Sequence, residues 1–253
     1  MQRTHSIRIG IGGWDYAPWR GLFYPDGLRR AEELGYASSR LTSIEINATF
    51  YRTQKPATFR AWHDGTPEDF VFAIKASRAA SQRKDTAGAK PAIEHFLGSG
   101  LAELGPKLGP ILWQWPSGRR FDPDQLAGFL DLLPPDLNGL PLRHALEAEH
   151  ESFSGEDALA LLRQRGVARV IVDQPKAVPW AEVTANHVYL RLKGSVDEER
   201  AGYAPAALDA WAGKLQVLGE PGPRQVFAYV IAGAKHRAPA AALALIERVG
   251  RPS

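Results

Sequence analysis

The stretch that decides the fold is Ile44-Glu45-Ile46-Asn47-Ala48-Thr49-Phe50-Tyr51. It opens with isoleucine alternating with polar side chains, which is typical of a β-strand. Because successive side chains of a strand point to opposite faces, Glu45 and Asn47 would share one face, and Ile44 and Ile46 the other. An acid on the face away from the helices fits a strand that looks into a barrel or a cleft.

Seven further segments repeat this plan, each apolar at first and polar near its carboxyl end: residues 8–13, 70–75, 111–116, 142–149, 169–173, 187–193 and 226–231. Helical patterns follow at least seven of the eight strands. The first helix is expected over residues 28–39, with Leu28, Ala31 and Leu34 facing inward, and Ser154 is expected to cap the helix after the fifth strand. Two prolines between Asp173 and Asn186 argue against a helix between the sixth and seventh strands.

This alternation of strands and helices predicts a parallel sheet, and eight units favour its closure. We therefore expect one (β/α)8 TIM-type barrel domain over residues 1–253, since no linker or change of composition divides the chain, and we leave open whether one helix is missing between strands six and seven. A doubly wound open sheet is the alternative.

Composition narrows the class of protein. Hydrophobic residues make up 44% of the chain and charged residues 23%, as in ordinary globular proteins. The chain has no cysteine, which excludes disulfides and thiolate chemistry. No apolar run is long enough to span a membrane, and residues 1–7 lack an apolar signal segment, so a cytoplasmic protein without membrane contact is expected.

The candidate site is a ring of polar residues near the carboxyl ends of the strands. A barrel core is filled with side chains, so these residues must lie at the C-terminal mouth, where barrel enzymes keep their active sites. Any one of them could form an ordinary strand-end ion pair, but burying so many ionisable groups costs stability unless they serve a function. The candidate catalytic residues are Glu45, Glu147 and Asp173, and the candidate binding residues are Trp14, Asn47, Lys75, Gln114, Glu149, His150, Arg191 and Lys193.

Three functions fit this ring. The first is a phosphoester or nucleic-acid hydrolase, in which Glu45, Glu147, Glu149 and Asp173 act as bases or hold a divalent metal, with His150 adding a nitrogen ligand. Lys75, Arg191 and Lys193 would then contact the phosphate. The loops at Gly194-Ser195 and 233–236 lie where barrels often bind phosphate. The cofactor is left open, since a divalent metal is possible but not favoured with so few histidines near strand ends.

The second function is a metal-independent glycosidase, which needs two carboxylates and aromatic platforms for the sugar. The candidate platforms are Trp14, Trp19, Trp113 and Trp115. Trp113 and Trp115 alternate with Gln114, however, and are expected to pack under helices. The third is a non-catalytic module that binds a ligand at the same mouth. No serine lies in a G-x-S-x-G elbow, so no nucleophile is apparent.

We favour a small anionic ligand, a phosphate-bearing sugar or nucleotide, because Arg78, Arg83 and Lys84 follow Lys75 in the chain. Nucleic acid is possible but not favoured as a partner, since a net charge of +3 is small for a long phosphate track. Oligomeric state is left open. Replacing Glu45 by Gln is expected to weaken ligand binding with little loss of stability.

The chain resembles a barrel family known as domain of unknown function 72, also called YecE-like. The resemblance covers nearly the whole chain and implies a (β/α) barrel, without an established activity. It rests on residues 9–14 (IGIGGW), 45–51 (EINATFY), 70–75 (FVFAIK), 112–116 (LWQWP), 147–153 and 189–194 (YLRLKG).

Three departures from that family pattern redistribute charge at the mouth. Glu149 stands where the family usually has arginine, and Lys193 where it usually has histidine. Residues 232–236 (AGAKH) replace the usual pair of asparagines. Any mechanism of the family therefore transfers to this chain only in part.

Overall fold

A computed structural model describes residues 7–173, 182–220 and 224–252 of the chain. Its strands are β1 (Ile7–Gly12), β2 (Ser43–Ile46), β3 (Val71–Lys75), β4 (Leu108–Gln114), β5 (Asp136–Leu137), β6 (Leu140–Pro141), β7 (His144–Glu147), β8 (Ala168–Asp173), β9 (His187–Leu192) and β10 (Gln225–Val230). Strands β5 and β6 form a small antiparallel hairpin. The other eight are parallel and close into a barrel in the order β1-β10-β9-β8-β7-β4-β3-β2. Closure confirms the (β/α)8 barrel and excludes the doubly wound open sheet.

The α-helices of the described residues surround this barrel: α1 (Glu33–Arg40), α2 (Ala48–Tyr51), α3 (Pro56–Asp64), α4 (Arg78–Ser81), α5 (Thr86–Leu97), α6 (Pro123–Leu130), α7 (Glu156–Arg165), α8 (Pro205–Leu218) and α9 (Ala238–Val249). Most of the connection between β8 and β9, residues 174–181, lies outside the described residues. The expected lack of a helix there stays a prediction.

Three details of the expected elements are wrong. The first α-helix begins at Glu33, so Leu28 precedes it half-buried and Ala31 is exposed in a short 3-10 turn. Strand β7 covers only the middle of the expected residues 142–149. Ser154 does not cap α7, because the N-cap is Gly155 and the Ser154 hydroxyl accepts a hydrogen bond from Arg169 instead.

Alternation along the strands divides the apolar side chains into two layers. The interior of the barrel is filled by a buried cluster that contains Ala73, Leu112, Ala145, Val170 and Tyr189. A larger cluster packs between the outer faces of the strands and the helices. Residues at every second position of a strand, in step with this interior cluster, therefore point into the barrel. The last such residue of each strand lies at the C-terminal mouth.

Gly10 allows β1 and β2 to approach closely. A Cβ atom at this position would lie 1.8 Å from the backbone oxygen of Ser43. Only glycine fits here, as expected for a glycine that leaves room beside the backbone. The same face carries Gly12, where a Cβ would lie 3.1 Å from the Asn47 amide nitrogen.

Trp113 and Trp115 pack under the helices, as their alternation with Gln114 predicts. Both are buried, and the Trp113 ring lies 5.6 Å from that of Phe129 on α6. They are therefore not aromatic platforms for a ligand. Within the described ranges, no helix is both long and apolar enough to cross a membrane.

Candidate functional site

Arg191 joins two carboxylates across the inside of the barrel. Its Nε and Nη2 atoms donate to the two oxygens of Glu45, each at 3.0 Å, and its Nη1 atom donates to Glu147 at 2.5 Å. All three residues are at most 4% exposed. Such a two-pronged contact is the strongest form of the arginine–carboxylate pair, and it compensates for part of the cost of burying the charges.

Lys193 extends this chain of ion pairs towards the solvent. Its ammonium donates to Glu147 at 2.7 Å and to Glu149 at 2.5 Å. The mouth therefore contains a row of alternating charges in which each side chain pairs with one of opposite sign: Glu45, Arg191, Glu147, Lys193 and Glu149. We call these five residues the mouth network. Two of the positions that depart from the family pattern, Glu149 and Lys193, pair with each other within it.

The mouth network sets the ionisation of its members. Burial raises the pKa of Glu147, but the positive charges of Arg191 and Lys193 outweigh it and lower that pKa to about 2. Burial works against the charge of Arg191 as well, yet Glu45 and Glu147 raise its pKa. Glu147 and Arg191 are thus both charged at neutral pH.

Lys75 lies beside the mouth network without joining it. Its side chain is 8% exposed, and within the described ranges its ammonium has no hydrogen bond or ion pair. The contact of the ammonium is with the ring of Phe50, 4.2 Å away. Burial, reinforced by the positive charge of Arg191, lowers the pKa of Lys75 although Glu45 and Glu147 act in the opposite direction.

Asp173 does not converge with the other carboxylates, contrary to expectation. It pairs in register with Leu192, which belongs to the outer core, whereas Val172 packs against the interior cluster. The Asp173 carboxylate accepts a hydrogen bond from the Tyr203 hydroxyl at 2.8 Å. The expectation went wrong because Asp173 ends its strand one residue out of phase with the interior positions.

Trp14 also lies apart from the mouth network. Its ring makes an edge contact with Trp62 on α3 at 5.5 Å and packs near Phe72 of the outer core at 6.4 Å. Its expected role in binding a ligand has no support in these contacts, because the first loop folds back over the helical layer.

The remaining candidate binding residues flank the mouth network. Gln114 pairs in register with Glu147, and the amide of Asn47 donates to the backbone oxygen of Glu45 at 3.4 Å. His150 instead caps the short 3-10 turn after β7, where its Nδ1 accepts from the backbone N–H of Ser152 at 3.2 Å. The position of His150 is therefore explained by local structure.

The loops after β9 and β10, expected to bind phosphate, bind each other. A β-bridge joins Ser195 to Gly233, and the Ser195 hydroxyl donates to the backbone oxygen of Ala232 at 2.8 Å. His236 lies 3.4 Å from Asp197. The hydroxyl of Ser195 is thus already engaged with the neighbouring loop.

Two residues of the mouth were missed at the level of sequence. The hydroxyl of Tyr189 donates to Glu45 at 2.8 Å, and Phe50 forms the aromatic floor beneath Lys75. Tyr189 precedes Arg191 by two residues, so the period of the strand could have revealed it. Nothing in the pattern of the short helix α2 distinguishes Phe50 from a core residue.

A metal site does not emerge from these side chains. Among the residues in the described ranges, no group of three or more histidines, aspartates and glutamates is arranged to hold a metal ion. The carboxylates of the mouth network face arginine and lysine instead. The residues present therefore do not fit the metal-dependent form of the hydrolase hypothesis.

Fold and site together define a (β/α)8 barrel protein with an ion-paired polar mouth. The chain belongs to the family described as "Protein of unknown function DUF72", whose model matches residues 8–253. The resemblance seen in the sequence is thereby confirmed.

The relatives are distant in sequence, and the two with solved structures share the fold. The UPF0759 protein YunF of Bacillus subtilis (strain 168) is 24% identical over 179 residues, which cover 67% of this chain and 61% of YunF. The match therefore spans less than two thirds of YunF. A DUF72 family protein of Enterococcus faecalis superposes with a TM-score of 0.77 at 20% identity, covering 96% of this chain and 95% of that one. A DUF72 family protein of Thermotoga maritima superposes with a TM-score of 0.73 at 21% identity, covering 95% of this chain and 97% of that one. At these identities the solved structures establish the fold alone.

Proposed function

We propose that the mouth of the barrel binds a small ligand through an anionic group that Lys75 contacts. The observation that carries this proposal is the lack of any carboxylate bonded to the Lys75 ammonium within the described residues, although the buried ammonium lies in the field of two glutamates, Glu45 and Glu147. Arg191 and Lys193, which the sequence suggested as phosphate ligands, are occupied by Glu45, Glu147 and Glu149. Lys75 is the cation that the mouth network leaves available.

The surroundings of Lys75 favour an anion with a ring attached. The Arg78 guanidinium lies 5.2 Å from the Phe50 ring and 5.8 Å from the Tyr51 ring. Tyr51 is 73% exposed, so its ring is accessible to a ligand from solvent. Phosphate oxygens at Lys75 and Arg78, with a sugar or base against Tyr51, would use each of these features.

Hydrolysis by the carboxylates has less support than binding. A pKa of about 2 makes Glu147 a weak base at neutral pH and leaves it without the proton that a glycosidase acid donates. Glu45 holds Arg191 with both oxygens. We therefore propose ligand binding as the function and treat catalysis as an outcome to be tested.

The experiment is a thermal-shift screen with sugar phosphates, nucleotides, neutral sugars, oligonucleotides and divalent metals. A phosphate-bearing ligand should raise the melting temperature, with the effect weakened by salt and lost in Lys75→Met. Lys214→Met is the matched control, because that ammonium also lies over an aromatic ring, Trp211, at 4.6 Å, but on the outer helix α8. Equal stabilisation of wild type and Lys75→Met would refute the proposal. Stabilisation by neutral sugars alone would favour the glycosidase hypothesis, and release of inorganic phosphate would establish hydrolysis.

A further inference from the structure

A cavity lies at the end of the barrel opposite the mouth. It has a volume of about 580 Å³, within the usual range for small-molecule sites. Its lining includes Arg143 directly before β7, Gly166 before β8, Asn186 directly before β9 and Arg224 directly before β10. These positions place the cavity at the amino ends of four neighbouring strands.

Arginine dominates the charge of this cavity. Arg143, Arg163 and Arg224 line it together with His187, and the described part of the lining contains no aspartate or glutamate. Of the three, Arg163 is neutralised by Glu156 at 2.6 Å and by Glu182 at 2.9 Å. We call this cavity, defined by its three arginines, the arginine pocket.

The other two guanidinium groups have no carboxylate partner within the described residues. Arg224 donates to the backbone oxygens of Leu218 at 3.0 Å and Glu220 at 2.8 Å. The half-buried Arg143 side chain makes no hydrogen bond or ion pair with any described residue, although a guanidinium has five N–H donors. The side chains outside the described ranges include no aspartate and no glutamate.

Burial makes this arrangement costly unless something compensates for it. A guanidinium remains charged in proteins, so even the partial burial of Arg143 without a partner opposes folding. Its charge also acts on its neighbour, since burial and then the field of Arg143 work to lower the pKa of His187 to about 4. A bound anion with two or more charges would satisfy both free guanidinium groups.

We propose that the arginine pocket binds a small oxyanion carrying at least two negative charges, held by Arg143 and Arg224. The site is independent of the proposed function, because barrel active sites lie at the C-terminal face and this cavity lies at the other. Its ligand would act on stability: it would bridge the starts of β7 and β10 and favour the closed barrel.

Calorimetric titration of the whole protein with pyrophosphate and with citrate tests the proposal. Wild type should bind at least one of them saturably, and Arg143→Gln and Arg224→Gln should each weaken binding about tenfold or more. Arg251→Gln is the matched control, since that side chain also donates only to backbone oxygens, of Ser39 and Arg40, but outside the pocket. Binding should survive in both Arg251→Gln and Lys75→Met, the second of which separates this site from the mouth.

Backbone amide NMR locates the ligand even if one variant fails to fold. Pyrophosphate or citrate should shift the resonances of residues 184–187 in wild type and equally in Lys75→Met, where the mouth no longer competes for the anion. If only pyrophosphate binds, the site is specific for phosphate. If citrate binds equally well, the site accepts polyanions in general. Either result supports the proposal. No saturable binding of either anion, shifts confined to the mouth, or equal losses in Arg251→Gln would overturn it.

Discussion

Arg191 on β9 holds both carboxylate oxygens of Glu45 on β2, although 146 residues separate the two in the chain. Two other strands, β1 and β10, lie between β2 and β9 in the closed sheet. The contact therefore crosses the interior of the barrel and depends on closure. It ties the stability of the barrel to the electrostatics of its mouth.

Replacing Glu45 by Gln should destabilise the protein by about 3 kcal/mol in urea denaturation, because a buried ion pair loses one partner. This corrects the expectation from sequence, in which Glu45 contributes little to folding, since the side chain is fully buried and bonded to Arg191 and Tyr189. Glu103→Gln, which breaks the more exposed pair with Arg60, should cost less than about 1 kcal/mol. Equal costs for both variants would show that burial adds nothing to the pair.

Stability should fall as the pH drops from about 6.5 to about 4, because His187 is buried in its neutral form. Its folded pKa of about 4 lies below the ordinary 6.5, so the unfolded chain binds the proton first. The full effect is on the order of 3 kcal/mol. Chemical denaturation at stepped pH measures it, and His187→Gln should flatten the curve in this window. His63→Gln, a replacement at a partly exposed position on α3, is the control variant. An unchanged slope in His187→Gln would contradict the assignment.

The ammonium of Lys75 should titrate below 10.5, the ordinary value for lysine, because burial and the charge of Arg191 lower its pKa. Carbon-13 labelling of lysine side chains allows NMR to follow each ammonium separately as the pH rises. The resonance lost in Lys75→Met identifies this residue. A midpoint at or above 10.5 would mean that Glu45 and Glu147 outweigh burial. A phosphate ligand should move the midpoint upward.

Gly10→Ala should destabilise the barrel by roughly 3 kcal/mol or more, since the new methyl group overlaps the backbone oxygen of Ser43. Thermal unfolding followed by circular dichroism provides the measurement. Gly118→Ala is the control, because a Cβ at Gly118 has no atom within 4 Å. If both variants melt together, β1 and β2 have room that the observed packing does not show.

Much of the architecture could be predicted from the sequence because its signals are local. Alternation within β2 places Glu45 on the interior face, and the same period places Lys75, Glu147 and Arg191 there. Eight repeats of strand and helix then predict closure, which aligns these positions at one end of the barrel. Local capping was less predictable: Gly155 rather than Ser154 precedes α7, because neighbouring residues compete for the cap.

What the sequence by itself determined is which side chains share a face, since that depends only on a period of two along each strand. Tertiary structure alone decided which charges pair: Arg191 with Glu45 and Glu147, and Lys193 with Glu147 and Glu149, leaving Lys75 against Phe50. It also decided that Asp173 and Trp14 lie outside the mouth network. The physical reason is that ion pairing depends on distances across the closed barrel, and these are set by strand register, not by spacing along the chain.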